Sequence, residues 1–248
     1  MNTISYTSAS YPVRADFADT HNRYWQRLAA AGTWLTGAQR VAIAAEVRHA
    51  KDCALCDKRK SALSPAFVDG AHDVASDLAD ALVEVVHRVV TDPGRLTRKW
   101  FDGILAQGVS EEAYVETIGT IVFTFTVDEF CRALAIPLNP LPAPEAGDPG
   151  RYRPSQAVQD DAWVPWIPSG RAVGAESDLW AKGQAANVIR ALSLVPDEVR
   201  TLKDLSAAHY VAESQDFMNF AKSPQGTLSR TQTEVIAGRV SSLNGCFY

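Results

Sequence analysis

Two cysteines three positions apart, Cys53 and Cys56, are the residues of this chain best suited to chemistry. A C-x-x-C pair where one helix ends and the next begins can close a small disulfide ring. Its nucleophile is the thiolate, favoured beside a helix N-terminus or a cation. A base must take the first proton, and Glu46 and His49 stand upstream at helical spacing. Glu46, His49, Cys53, Cys56 and Lys60 follow i, i+3, i+7, i+10 and i+14, so one continuous helix would align them on a stripe. Lys51, Lys58, Arg59 or Lys60 could stabilise a thiolate there. The same residues also read as metal ligands: His49, Cys53 and Cys56, with Glu46 as a fourth. Four ligands on a single helix converge poorly on one ion, and there is no second C-x-x-C, so no metal is assigned. A third reading is inert, with two buried thiols beside a solvated charged face. His21, His72, His87 and His209 have no motif around them and are expected in surface or core roles. Cys131 is expected to pack, and Asp128 lies in an apolar run with no visible partner.

Most of the elements that must position these residues read as helix. "LTGAQRVAIAAEVRHAKDC" has a strong apolar pattern and Thr36 as its cap. "FVDGAHDVASDLADALVEVVHRVV" reads as one long amphipathic helix ended by "TDPG". "LTRKWFDGILAQG" follows, with Gly108 as C-cap. "SEEAYVETIGTIVFTFTVDEFCRALAI" opens on Ser110 and acidic residues. Its β-branched centre resembles a strand, but the flanks are helical and no hairpin partner is visible. Eight of the thirteen prolines then fall between Pro137 and Pro168, so the segment to about Ala175 reads as an ordered connector anchored by Tyr152, Trp163 and Trp166. Helices resume at "SDLWAKGQAANVIRAL", at "PDEVRTLKDLSAAHYVAESQDFMNF" with Pro196 in its first turn, and at "LSRTQTEVIAGRVSSLNGC".

The totals narrow the function classes. Of 248 residues, 46% are hydrophobic and 21% charged, enough for a large core. A net charge of -5 offers no basic face for nucleic acid and no attraction to anionic membranes. No apolar run reaches the length of a membrane span, and the N-terminal residues do not read as a secretion signal. A cytoplasmic protein is therefore expected. Four cysteines are too few for a disulfide scaffold.

The last helix repeats the one before the C-x-x-C. Shifting the chain by 193 positions sets Leu35 on Leu228, Thr36 on Ser229, Gln39 on Gln232, Ile43 on Ile236, Val47 on Val240 and Cys53 on Cys246, without gaps. "LSRTQTEVIAGRVSSLNGCFY" resembles the active-site helix of the alkylhydroperoxidase-like (AhpD-like), carboxymuconolactone decarboxylase superfamily. That helix reads roughly L-[ST]-x-x-[QE]-x-E, an apolar run, N-G-C-x-[YF]-C, then a His four residues on. "ANVIRALSLVPDEV" resembles the family's approach to this helix, and "AQGVSEEAYVETIGTIVFTFTVDEFCRALAIPLNPLP" the helices that follow the site.

The resemblance implies an all-α fold of tandem AhpD-like units, the second incomplete: residues 1–136, a connector over 137–175, and a half-unit over 176–248. It also implies thiol-dependent hydroperoxide reduction, an antioxidant activity. Carried over by position, Glu234 is the family glutamate, expected as a buried proton relay, and Cys246 the first cysteine. In the first copy Cys53 and Cys56 are both present, but Val41 replaces the glutamate and Lys60 the histidine, leaving Glu46 or His49 to substitute. The second copy lacks the second cysteine and the histidine, so a selenocysteine beyond Tyr248 is one expectation; no other cofactor is expected. The expected partners are a hydroperoxide substrate, an external dithiol reductant and a second copy in a homodimer, without nucleic acid or membrane. The alternatives are an inactive binding or assembly module of the same fold, or a decarboxylase-type non-redox enzyme.

Overall fold

The computed structural model describes residues 3–180, 185–210 and 228–246. The chain divides into two compact units, Met1–Leu202 and Lys203–Tyr248. Helix α1, Ala15–Ala29, has no counterpart among the runs read from the sequence; it buries His21, Tyr24, Trp25 and Leu28 along one side. Helix α2, Gly37–His49, opens on a capping box in which the Thr36 hydroxyl accepts from the Gln39 amide and the Gln39 side chain accepts from the Thr36 amide.

The stripe expected from Glu46 to Lys60 is broken. A single 3-10 turn, Ala50–Asp52, follows α2, and Cys53 then takes an extended conformation (φ -73°, ψ 121°) before α3, Ala54–Ser61. The long helix expected over residues 67–90 is also shorter: only α4, Asp80–Thr91, is helical. Gly70 has φ +153°, and a Cβ there would press on Leu55 at 3.0 Å. A loop from Val68 to Ala79 therefore folds back over α3 instead of continuing a helix.

Helices α5, Arg98–Ala106, and α6, Glu111–Ala133, are capped by Thr97 and Ser110. The β-branched centre of α6 is helical because its apolar side chains are buried against α2 and α4. Leu35, Ile43 and Val47 meet Val85, Val86, Ile104 and Ile121 in that core. Asp128 finds its partner in Arg48, whose guanidinium donates to both carboxylate oxygens at 2.8 Å. Arg40 lies between two buried carboxylates, Glu116 at 2.9 Å and Glu198 at 3.8 Å.

The proline-rich segment is ordered on the turn between α1 and α2. Glu145 and Arg151 donate backbone bonds to Ala29 and Thr33, Trp166 is buried and Trp163 lies against Phe101. Tyr152 donates to Glu176. Of the helix expected over 177–192, only α7, Asn187–Arg190, forms among the described residues; residues 181–184 lie outside them. Helix α8, Pro196–His209, begins at its proline, and the rest of that expected run, from residue 211, lies outside the described residues. Helix α9, Arg230–Leu243, opens on a second capping box, Ser229 with Gln232.

The fold is all-α. Among the described residues the only β pairing is an isolated bridge between Val158 and Trp166. No helix among them is long and apolar enough to cross a membrane.

Candidate functional site

The site grows from the break between α2 and α3. Because the helix stops at Ala50, Cys53 becomes the N-cap of α3 and Cys56 sits in its first turn. Asp73, from the loop after α3, accepts from the Ala54 amide at 2.9 Å, so the loop itself caps α3. That contact brings the neighbouring His72 over both sulfurs. His72 Nδ1 is 3.5 Å from Cys53 Sγ and 3.6 Å from Cys56 Sγ. Helix α4 supplies the fourth group: His87 Nδ1 is 3.3 Å from Cys56 Sγ. One donor atom from each of Cys53, Cys56, His72 and His87 lies within 4.8 Å of all the others.

Each imidazole is held from behind by a carboxylate. His87 Nε2 is 2.9 Å from Glu46 Oε2, and His72 Nε2 is 2.7 Å from Glu84 Oε2. Both pairs require the proton on Nε2, which turns Nδ1 toward the sulfurs. Glu46 is fully buried, and its other oxygen accepts from the Ala75 amide and the Ser76 hydroxyl. Burial pushes the Glu46 carboxyl up, but the bonds from Ser76, His87 and Ala75 outweigh it and hold it below its ordinary value. Glu84 accepts from Arg59 at 2.7 Å and from the Trp100 indole at 3.0 Å. Against the upward push of burial, His72, Arg59 and Trp100 bring its pKa down to about 2.

The protonation pattern follows from these partners. Burial lowers His72, yet its bonds to Cys56, Glu84 and Cys53 prevail and raise it to about 10. Burial raises the Cys53 thiol, but the Cys56 amide, His72 and the Asp73 amide together hold it below its usual value. Both shifts favour the thiolate–imidazolium form of the Cys53–His72 pair. His87 is pushed down, first by burial and then by the nearby charge of His72, against the opposing pull of Glu46. That favours its neutral form, with the Nδ1 lone pair facing Cys56 Sγ.

The sulfurs are buried: Cys53 is 0% and Cys56 3% exposed. A cleft of about 500 Å³ lies beside them, lined in part by Gly70, His72, Glu84, Trp100, Gly103 and Gln107. A small molecule in that cleft meets His72 before it meets either sulfur.

The expected residues separate into three groups. Cys53, Cys56 and Glu46 come together, although Glu46 acts through His87 and not along a shared stripe. His49 does not join them: its ring centroid is 6.3 Å from that of His87, and among the described residues no hydrogen-bond partner meets its buried Nε2. The turn at Ala50–Asp52 breaks the helical phase between His49 and the two cysteines. Lys51, Lys58 and Lys60 are exposed, and Arg59 is the one of the four cations that reaches the site. In the unit Lys203–Tyr248, Cys246 is exposed. Glu234 is not the buried relay expected: its side chain is 36% exposed, pairs with Arg230 and accepts from Tyr210. His72 and His87, expected in bland roles, are the two imidazoles on the sulfurs. The signal available for them was a C-x-x-C followed by two histidines within about one helix-turn-helix length, C-x2-C-x15-H-x14-H. In comparisons with known proteins, the chain matches no family model, no curated protein and no solved structure.

Proposed function

We propose that this protein is a dithiol peroxidase of AhpD-like type, reducing a hydroperoxide at Cys53 and Cys56. The observation that carries the reading is the placement of two carboxylate-backed histidines on the two sulfurs, His72 at 3.5 Å from Cys53 and 3.6 Å from Cys56, and His87 at 3.3 Å from Cys56. The Cys53 thiolate attacks the peroxide oxygen and the O–O bond breaks. The leaving alkoxide takes the His72 proton, giving an alcohol and a Cys53 sulfenic acid. Cys56 then gives its proton to His87 and attacks Cys53 Sγ, forming the disulfide and releasing water as the displaced hydroxide recovers that proton. An external dithiol returns both thiols. Across the cycle, one peroxide and two thiols become one alcohol, one water and one disulfide.

Two further features support the family reading. Helices α2 and α9 open on the same capping box, with Gln at the same place, as two copies of one unit would. Helix α9 also exposes Ile236, Val240 and Leu243 along one face, a stripe of the kind that a second copy covers in a homodimer.

The test counts free thiols and maps disulfides after one equivalent of hydroperoxide is added to the reduced chain. Wild type is expected to lose two thiols and to yield a Cys53–Cys56 link. Cys56→Ser should stop at a sulfenic acid that a dione reagent traps on Cys53. Intact thiols in the wild type, or equal thiol loss in Cys53→Ser, would refute the reading.

A further inference from the structure

We infer that Cys53, Cys56, His72 and His87 form a tetrahedral Zn²⁺ site when the thiols are reduced. A zinc ion with Zn–S of about 2.3 Å and Zn–N of about 2.0–2.1 Å sets sulfur–nitrogen edges of about 3.6 Å around a tetrahedron. The three such edges measured here are 3.5, 3.6 and 3.3 Å. No side chain has to move far to receive the ion.

The surroundings have the form that zinc ligands require. Ligating histidines usually give their remote N–H to a carboxylate, which fixes the tautomer and raises the basicity of the ligating nitrogen. Here both do, His87 to Glu46 and His72 to Glu84, and both carboxylates are anchored in turn by Ser76, Ala75, Arg59 and Trp100. Two thiolates neutralise the divalent charge. The mix of two sulfurs and two imidazoles suits zinc better than harder ions, which prefer oxygen. All four ligands come from the protein; Cys53, Cys56 and His87 are buried and His72 is half-buried at the edge of the cleft, its side chain 8% exposed. That is a closed site, as in zinc centres that hold a fold together. It ties α3 and α4 to the loop between them, beside the bonds that Asp73, Ala75 and Ser76 already make.

The site and the redox cycle share both sulfurs. A disulfide removes two of the four ligands, so peroxide should expel the ion, and bound zinc should shield the thiols. This last consequence rests on the peroxidase reading; metal binding does not.

The experiment uses the full chain carrying Cys246→Ser, reduced and freed of metal, so that the exposed thiol cannot contribute. It is titrated with Co²⁺ and then with Zn²⁺ against a chromophoric chelator. One Co²⁺ per chain should bind, with the visible bands of a tetrahedral centre and a near-ultraviolet sulfur-to-cobalt transition, and one Zn²⁺ should replace it. Thermal unfolding of the zinc form should move to higher temperature. His72→Ala and His87→Ala should each weaken binding by more than the roughly 10–100-fold that a lost outer carboxylate costs, with helical circular dichroism as the check on folding. No binding at micromolar metal, an octahedral cobalt spectrum, or wild-type affinity in both histidine variants would overturn the site. Peroxide added to the reduced, metal-free form separates the two proposals. A chain that binds metal but keeps its thiols when metal-free leaves the zinc site standing and ends the peroxidase reading, whereas disulfide formation in a chain that never binds metal does the reverse.

Discussion

Glu46→Gln tests whether the carboxylate sets the chemistry or only fills space. Glu46 has two separate jobs. Its Oε1 accepts from the Ala75 amide and the Ser76 hydroxyl, and its Oε2 accepts from His87 Nε2. Glutamine keeps the shape and can keep Oε1 in its first job. Its amide N–H₂ then faces His87 and demands an acceptor there, so the imidazole proton moves to Nδ1, 3.3 Å from Cys56 Sγ. Every hydrogen bond survives, but three charge-assisted bonds of about 1.5–3 kcal/mol become neutral ones of about 0.5–1.5 kcal/mol, so stability should fall by at most about 3–4 kcal/mol. The chemical effect is separate from this loss. With Nδ1 occupied, His87 cannot take the Cys56 proton, and loss of a base through the wrong tautomer slows a reaction by roughly 10²–10⁴-fold. Urea unfolding gives the first quantity, and the rate of Cys53–Cys56 disulfide formation after a peroxide pulse gives the second. A variant that closes its disulfide within about threefold of wild type would show that His87 is not the base.

Other consequences can be checked separately. Burial raises Glu198 to about 8, Arg40 pulling it down and the Glu116 and Asp197 charges adding to the rise. Its folded value thus exceeds its unfolded one, so the native chain holds the extra proton and stability falls as pH rises from about 4.5 to about 8. Glu198→Gln should be nearly neutral at pH of about 5 and stabilising by a few kcal/mol at pH of about 9, read from urea melts at both; equal effects at the two would contradict this. Gly119→Ala should destabilise the chain by at least about 1–3 kcal/mol, despite alanine's helix preference. A Cβ there collides with the Glu198 side chain, so a melting temperature at or above wild type would refute the packing.

Local chemistry alone determined much of this protein. Thr36 with Gln39, Ser110 and Ser229 with Gln232 mark helix starts because a cap is satisfied within a few residues of its own position. The all-α class follows from such signals and from apolar periodicity. The C-x-x-C is legible for the same reason, and Glu46 could be picked out seven residues upstream, though for the wrong geometry. What surrounds the sulfurs was decided only by tertiary structure. His72 reaches them because Gly70 turns the chain back and Asp73 caps α3 across nineteen residues. His87 reaches Cys56 from a helix thirty-one residues away. Nothing within one helical turn of either histidine records those partners. The helix break after His49 turned a predicted stripe into two separate ends, and it came from a short 3-10 turn whose local sequence reads as good helix. Periodicity reports which face a residue occupies while a helix lasts. Where the helix stops, and what the returning loop lays across its end, depends on contacts between distant segments, and those contacts make the site.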